Sequence, residues 1–467
     1  MEGEWARRRR RTHNRTRVTV SALVVIVAVG VLGVWWTQAA DSDTTILAST
    51  RVGKGAMAVG VDVHVGHVFV ADEGSHDIAM LDATSGQLIR TIPLGNDPTA
   101  LANLNFPFAP SLLAVDARHD ALYVASPASP AIIVLDAITG RVRRVIHAPG
   151  LPVSVAVVPA LGRVLVVGEA FPDGTRPAIF RSMATVYATG GALIHRAVFD
   201  PQGTIEGSYQ DGGLTVDERT GLAFIGAMSA NGVSNSVHML DARSGALVRT
   251  VTVGAVIHPP TATAVDERTG RVFVAIGTAN SVGVLDARRG AVLRSIPVGP
   301  SPMALAVDAR LGHVFVVNYG PADASSSPLG NGSVSMLDAT SGRVLGTAVI
   351  GEAPRAVAVD QRDGRVFVLN SGRSDGAGRV IDPGSVSVLD ARTGRVVRTL
   401  RVSDQPVAVA VDEHTGRAFV VIFGPVVEAD RWAWLPGWLR NQLPFVPPPP
   451  VRSPSSSSSV SIIDATR

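Results

Sequence analysis

The residues of this chain best suited to chemistry gather in one stretch: Glu169, Arg176, Arg181, His195, Glu206, Tyr209 and Asp211, with His258 further along. Carboxylates beside arginine and histidine are the makings of general acid–base hydrolysis or of a cation site. Solvated loop charges share that composition and are the commoner case. His258 has no partner two or four residues away, the spacing that metal-binding histidines keep, so no metal is expected. The chain has no cysteine, which removes thiol nucleophiles, thiolate metal sites, covalent haem attachment and disulfides; no cofactor is expected. G-x-S-x-G, H-E-x-x-H, Walker A and Rossmann patterns are absent.

Other acids recur rather than cluster. Asp62, Asp116, Asp217, Asp266, Asp308, Asp360 and Asp412 form one series, and Asp82, Asp136, Asp241, Asp286, Asp338, Asp390 and Asp464 a second. As a rule a glycine follows within three or four residues. That is turn chemistry, in which a carboxylate accepts backbone N–H groups and glycine supplies positive φ, rather than a ring of metal ligands. A third concentration is aromatic: Trp432, Trp434 and Trp438 lie within seven residues, ahead of a Pro- and Ser-rich run. They form a lid or an interaction element.

The elements that must position these residues are repeats. A-V-D-x-x-x-G-R-V-F-V stands at residues 264–274, 306–316, 358–368 and 410–420, and S-V-S-V-L-D-A-R-T-G-R-V-V-R-T-L at 385–400. The second acid series, with Tyr187 in the degenerate third unit, is spaced at 45 to 54 residues up to Asp390. That is the period of propeller blades. Short Val-, Ile- and Phe-rich runs bounded by Gly, Asp and Ser give four strands per unit. The expected fold is all-β, a propeller of eight four-stranded blades, or seven if the third unit is not a full sheet. A copy of the unit's last strand at residues 47–53 precedes the first unit, and the chain stops at SIIDATR where the last unit lacks it. The N-terminal strand therefore closes the ring.

F-V-x-N followed by S-V-x-V-L-D and V-G-x-x-P resembles the YVTN β-propeller repeat proteins; FVVN at 315–318, FVLN at 367–370 and YVAS at 123–126 carry the likeness. The resemblance implies the fold and says little about activity.

The charge is placed unevenly. The sequence pI is near 9.7, yet residues 1–17 hold seven arginines and two glutamates, a local +5 against a total of +3. Residues 18–36 are uncharged, long enough to cross a bilayer, and end in Trp35 and Trp36. Residues 1–17 thus read as a cytoplasmic basic segment, 18–36 as a transmembrane signal-anchor, 37–43 as a linker and 44–467 as the propeller, with the insertion at 423–459. The protein is expected at the cell membrane, single-pass, with its propeller outside, or secreted if the leader is cleaved. Because length variation falls on one face, the reading is a binding or scaffold module for a protein or envelope component. The alternatives are a metal-assisted hydrolase or lyase with a site in the channel and, disfavoured by the near-neutral body, a nucleic-acid-associated propeller. Oligomeric state is not set by the sequence.

Overall fold

A computed structural model describes residues 46–94, 113–125, 130–170, 181–198, 214–228, 235–254, 262–323, 328–374, 380–402, 405–423, 426–428, 452–454 and 457–464. The segment 18–36 and Trp432, Trp434 and Trp438 lie outside them. No helix among the described residues is long and apolar enough to cross a membrane.

Eight four-stranded sheets follow one another, each antiparallel throughout. Blade 1 begins at Ala56–Asp62, and blade 7 ends at Val396–Arg401. The degenerate third unit is a complete sheet, Leu151–Val158 to Leu193–Val198, so the seven-blade alternative falls. Blade 8 takes three strands from the C-terminal end and its outermost from Ile46–Arg51, which pairs antiparallel with Ser459–Asp464 from Ile46↔Ile463 to Arg51↔Ser459. The closure expected from the displaced repeat is therefore present, and both ends of the ring share one sheet.

The core is divided among the blade interfaces. Phe69, Ile78 and Met80 of blade 1 meet Leu122, Val124 and Leu135 of blade 2, and Phe419 and Ile462 of blade 8 meet Val68 and Leu81 of blade 1. Strand alternation explains this, because each sheet must bury both faces and so carries β-branched and aromatic residues on both. Phe69, Tyr123, Phe224, Phe273, Phe315, Phe367 and Phe419 occupy matching places on the second strands, all fully buried. Losing one of these rings would cost about 3–5 kcal/mol.

Turns joining the first to second and third to fourth strands share one face, here the short-turn face. Their aspartates act as the spacing predicts. Asp62 Oδ1 accepts from the backbone N–H groups of His64 and Val65, Asp266 Oδ1 from those of Arg268 and Thr269, and Asp360 Oδ1 from those of Arg362 and Asp363. In the outer turn of blade 2, burial pushes Asp136 upward, but hydrogen bonds from Arg143 and Thr139 outweigh it and hold the carboxyl at about 2. Where Asp116 lacks the following glycine, Asp120 adopts the left-handed conformation with φ 48°.

Candidate functional site

The structure does not assemble the acid–base cluster expected from the third repeat unit. Glu169 and Arg181 stand at the long-loop end of blade 3's middle strands, where Glu169 pairs with Ser182 and Ala170 with Arg181. His195 lies away from them, exposed in the outer strand opposite Val186. Arg176, Glu206, Tyr209, Asp211 and His258 lie outside the described residues. On the long-loop side of blade 1, residues 71–77 are not a long insertion: Ala71, Asp72 and Asp77 belong to strands, leaving a four-residue hairpin turn.

Two other constellations come together. The first occupies the short-turn face around the channel mouth. Two positions after each first-series aspartate comes an arginine or histidine in seven blades: His64, Arg118, Arg219, Arg268, Arg310, Arg362 and His414. Four of them reach the neighbouring blade. Arg268 Nε donates to Ala309 O at 3.1 Å, Arg310 Nε to Gln361 O at 2.5 Å, and Arg362 to the carbonyls of Glu413 and His414. His64 Nδ1 meets Asp120 Oδ1 at 3.0 Å. Side chains one position earlier accept in the same sense, with Glu218 N–H donating to Glu267 Oε1 at 2.7 Å and Ala309 N–H to Gln361 Oε1 at 3.0 Å.

Further out the rule repeats. His67 Nδ1–H donates to Ala137 O at 2.8 Å, His313 Nδ1–H to Ala391 O at 2.9 Å, and Arg271 to Ala339 O at 2.6 Å. Arg417 spans the ring closure to Ala83 O at 3.2 Å. At the rim, Arg90 donates to Thr139 O at 2.5 Å and Arg294 to Ser341 O. Gly342 makes that last contact possible. Its φ is +69°, and a Cβ there would come within 2.9 Å of both Arg294 Cδ and Ile296 Cδ1.

A cavity of about 520 Å³ opens at this mouth, with Val63, Ala358, Val359 and Val411 as its apolar wall and Arg362, Glu413 and His414 at its edge. Arg362 is spent on the neighbouring turn, so the arrangement holds its own backbone before it holds a ligand.

The second constellation lies at the ring closure. Asp72 is 1% exposed and faces Asp77, its cross-strand partner. Gly53 N–H, just beyond the closing strand, donates to Asp72 Oδ2 at 2.9 Å. Oδ1 of Asp72 and Oδ1 of Asp77 are buried without hydrogen-bond partners. Burial, reinforced by the charge of Asp77, pushes the Asp72 carboxyl up to about 8, so it is protonated at neutral pH. Matching positions in blades 6 and 7 are neutral: Asn318 donates to Ser333 and Ser335, and Asn370 to Ser385 and Ser387, at 2.9 to 3.1 Å. Reading the third unit as the chemical one overlooked this pair. The signal was Asp72 standing where the FVVN and FVLN repeats place asparagine.

Comparison with known proteins gives a fold and part of a family likeness. The family model described as outer membrane protein assembly factor BamB matches residues 233–429, fewer than half of the 467. No curated protein matches the chain. Among solved structures, the quinohemoprotein alcohol dehydrogenase from Comamonas testosteroni is similar at 12% identity and a TM-score of 0.58, over 91% of this chain and 77% of that one. Sqt1 from Saccharomyces cerevisiae is similar at 11% and 0.56, over 80% and 95%. A europium-containing methanol dehydrogenase is similar at 11% and 0.54, over 90% and 92%. The likeness supports a propeller repeat protein, while the family model that matches is not the YVTN one.

These structures correct the expectation of no cofactor. Proteins described as a quinohemoprotein and as europium-containing share the fold, so a chain of this architecture is not marked as cofactor-free by its lack of cysteine. The described residues nevertheless do not form a matching donor set. No three His, Asp or Glu side chains among them converge, and first strands such as AMAVGVD and PMALAVD bring mainly small apolar residues to the channel.

Proposed function

We propose that this chain is an extracytoplasmic binding propeller, tethered to the membrane by residues 18–36, that engages a protein or other envelope component through its long-loop face. The observation that carries the reading is the division of labour between the faces. Side-chain bonds from blade to blade brace the short-turn face, whereas the other carries the connections of variable length, such as the two-stranded arm Arg373–Ser374 with Val380–Asp382. A rigid base under variable loops suits recognition. The match of residues 233–429 to an assembly-factor family supports a role in binding rather than turnover. Expulsion of the arginines to one side of an uncharged stretch supports the topology.

The test is site-specific photo-crosslinking in cells. Probes at Leu329 and Ile381, both exposed on the long-loop face, should give a discrete adduct, and probes at Arg118 and Arg310 should not. Adducts from the short-turn probes alone, or from none of the four, would overturn the reading. Resistance of the full-length chain to alkaline extraction from membranes tests the tether separately.

A further inference from the structure

The chain's small net charge conceals a radial separation. Each blade ends in an outer arm that runs from the turn acid, or Tyr187 in blade 3, to the end of the outermost strand. Together the described residues of the eight arms hold sixteen arginines against eight acidic residues. Toward the channel the balance reverses: from each first-series aspartate to the fourth residue after it, the seven turns hold twelve acidic residues against five arginines. Aliphatic side chains stand exposed on the same outer strands, so the rim is basic and apolar together.

One sector combines these features with the chain's point of entry. In blade 7, Arg392, Arg395 and Arg401 are exposed, beside Val397, which is 48% exposed. The neighbouring outer strand of blade 8 presents Ile46 at 37%, Leu47 at 43% and an exposed Arg51. Among the described residues of these two outer arms the acids are Asp390 and Asp464. Turn hydrogen bonds from Thr393 occupy Asp390, and Arg365 lies 3.4 Å from it. Ile46 follows Trp36 by only nine intervening residues, a reach of at most about 36 Å.

We propose that the outer sector of blades 7 and 8 seats on the anionic headgroups of a phospholipid bilayer, with the arginines at phosphate level and Ile46, Leu47 and Val397 at the acyl boundary. The inference rests on the tethered reading above for its choice of partner. Guanidinium groups pair with phosphate in two-pronged fashion, and interleaved aliphatic residues add shallow burial, the combination that interfacial segments use. Attraction to an anionic leaflet is on the order of fivefold in partition per basic residue and decays within a Debye length.

The test uses residues 44–467, which contain the compact unit and both strands of its closure. The protein should sediment with vesicles of phosphatidylcholine containing phosphatidylglycerol, not with phosphatidylcholine alone, and 0.5 M salt should release it. The triple variant R392E/R395E/R401E should lower partition by about tenfold or more. The matching reversal on blades 4 and 5, R243E/R288E/R289E, should leave it nearly unchanged, with both variants melting like the parent. Sedimentation indifferent to phosphatidylglycerol, equal losses from both triples, or equally tight binding to duplex DNA would overturn the proposal. If a triple fails to fold, the salt and lipid dependence of the parent decides. Release of the full-length chain by alkaline extraction would defeat the tether without touching the vesicle result, so the two failures are distinguishable.

Discussion

The two faces of this disc are built from the same repeat and differ in what their side chains are asked to do. On the short-turn face, Arg268, Arg310, Arg362, His67, Arg271 and Arg417 all donate to carbonyls of the following blade. On the long-loop face the bonds follow no single rule: Asn318 and Asn370 bond serines of their own blades, Ser371 Oγ donates to Pro406 O of the following blade, and Arg373 lies 3.8 Å from Glu352 of the preceding one. Repetition thus pins one side and leaves the other to vary. The exception is the ring closure, where the long-loop end of blade 1 carries Asp72 and Asp77 instead of asparagine and serine.

The largest expected effect comes from removing the closure. Deleting residues 46–51 strips the outer strand from blade 8 and should cost about 5 kcal/mol or more in lost hydrogen bonds and burial, with aggregation through the bared edge, read by thermal melting and gel filtration. Next comes the acid pair. Asp72 holds its proton in the folded chain up to about pH 8 but in the unfolded chain only to its ordinary 3.8. Folding therefore takes up a proton between those values, and stability is greatest at the acid end, falls as pH rises from about 4 to about 8, then levels. Asp72→Asn restores the side chain seen in blades 6 and 7 and should remove that slope, gaining several kcal/mol at pH 9 in urea titrations. Parallel slopes in parent and variant would sink this account.

Smaller effects sharpen the comparison between the faces. Gly342→Ala places a Cβ at positive φ against Arg294 and should cost about 1–2 kcal/mol. Arg362→Ala, which frees two carbonyls on an exposed turn, should cost about 1 kcal/mol. Replacing residues 375–379 with glycine and serine should change stability by less than about 0.5 kcal/mol. A loop exchange as damaging as Gly342→Ala would erase the distinction between a braced face and a free one.

Much of the fold was legible because each blade restates it. The displaced strand at residues 47–53 announced closure, and the turn aspartates announced their hydrogen bonds. The third unit showed the limit of that method: losing the A-V-D signature at Pro159 looked like a lost sheet, but the strand Leu151–Val158 and the 3-10 turn Pro159–Leu161 keep the geometry without the acid. Candidate chemistry was less legible for the same reason. Polar residues that break the repeat, such as His195, drew attention, although outer strands are exposed in every blade. The pair at Asp72 hid inside a well-formed repeat, as a change of charge at an unchanged position. Cross-blade bonds such as Arg417 to Ala83 start from a repeated position, the residue after the turn glycine, but nothing local marks the acceptor, which lies 334 residues away.

The pairing of Ile46–Arg51 with Ser459–Asp464 also sets a timetable. About four hundred residues lie between the partners, and synthesis at roughly 5–20 residues per second means the first strand waits about 20–80 s for the last to exist. Seven blades can fold and stack during that interval, while the eighth lacks the third strand, Ser459–Asp464, on which its outermost strand must pair. Closure of the ring is therefore the meeting of its first-made and last-made strands, and until then the nascent propeller is open with a free edge at each end.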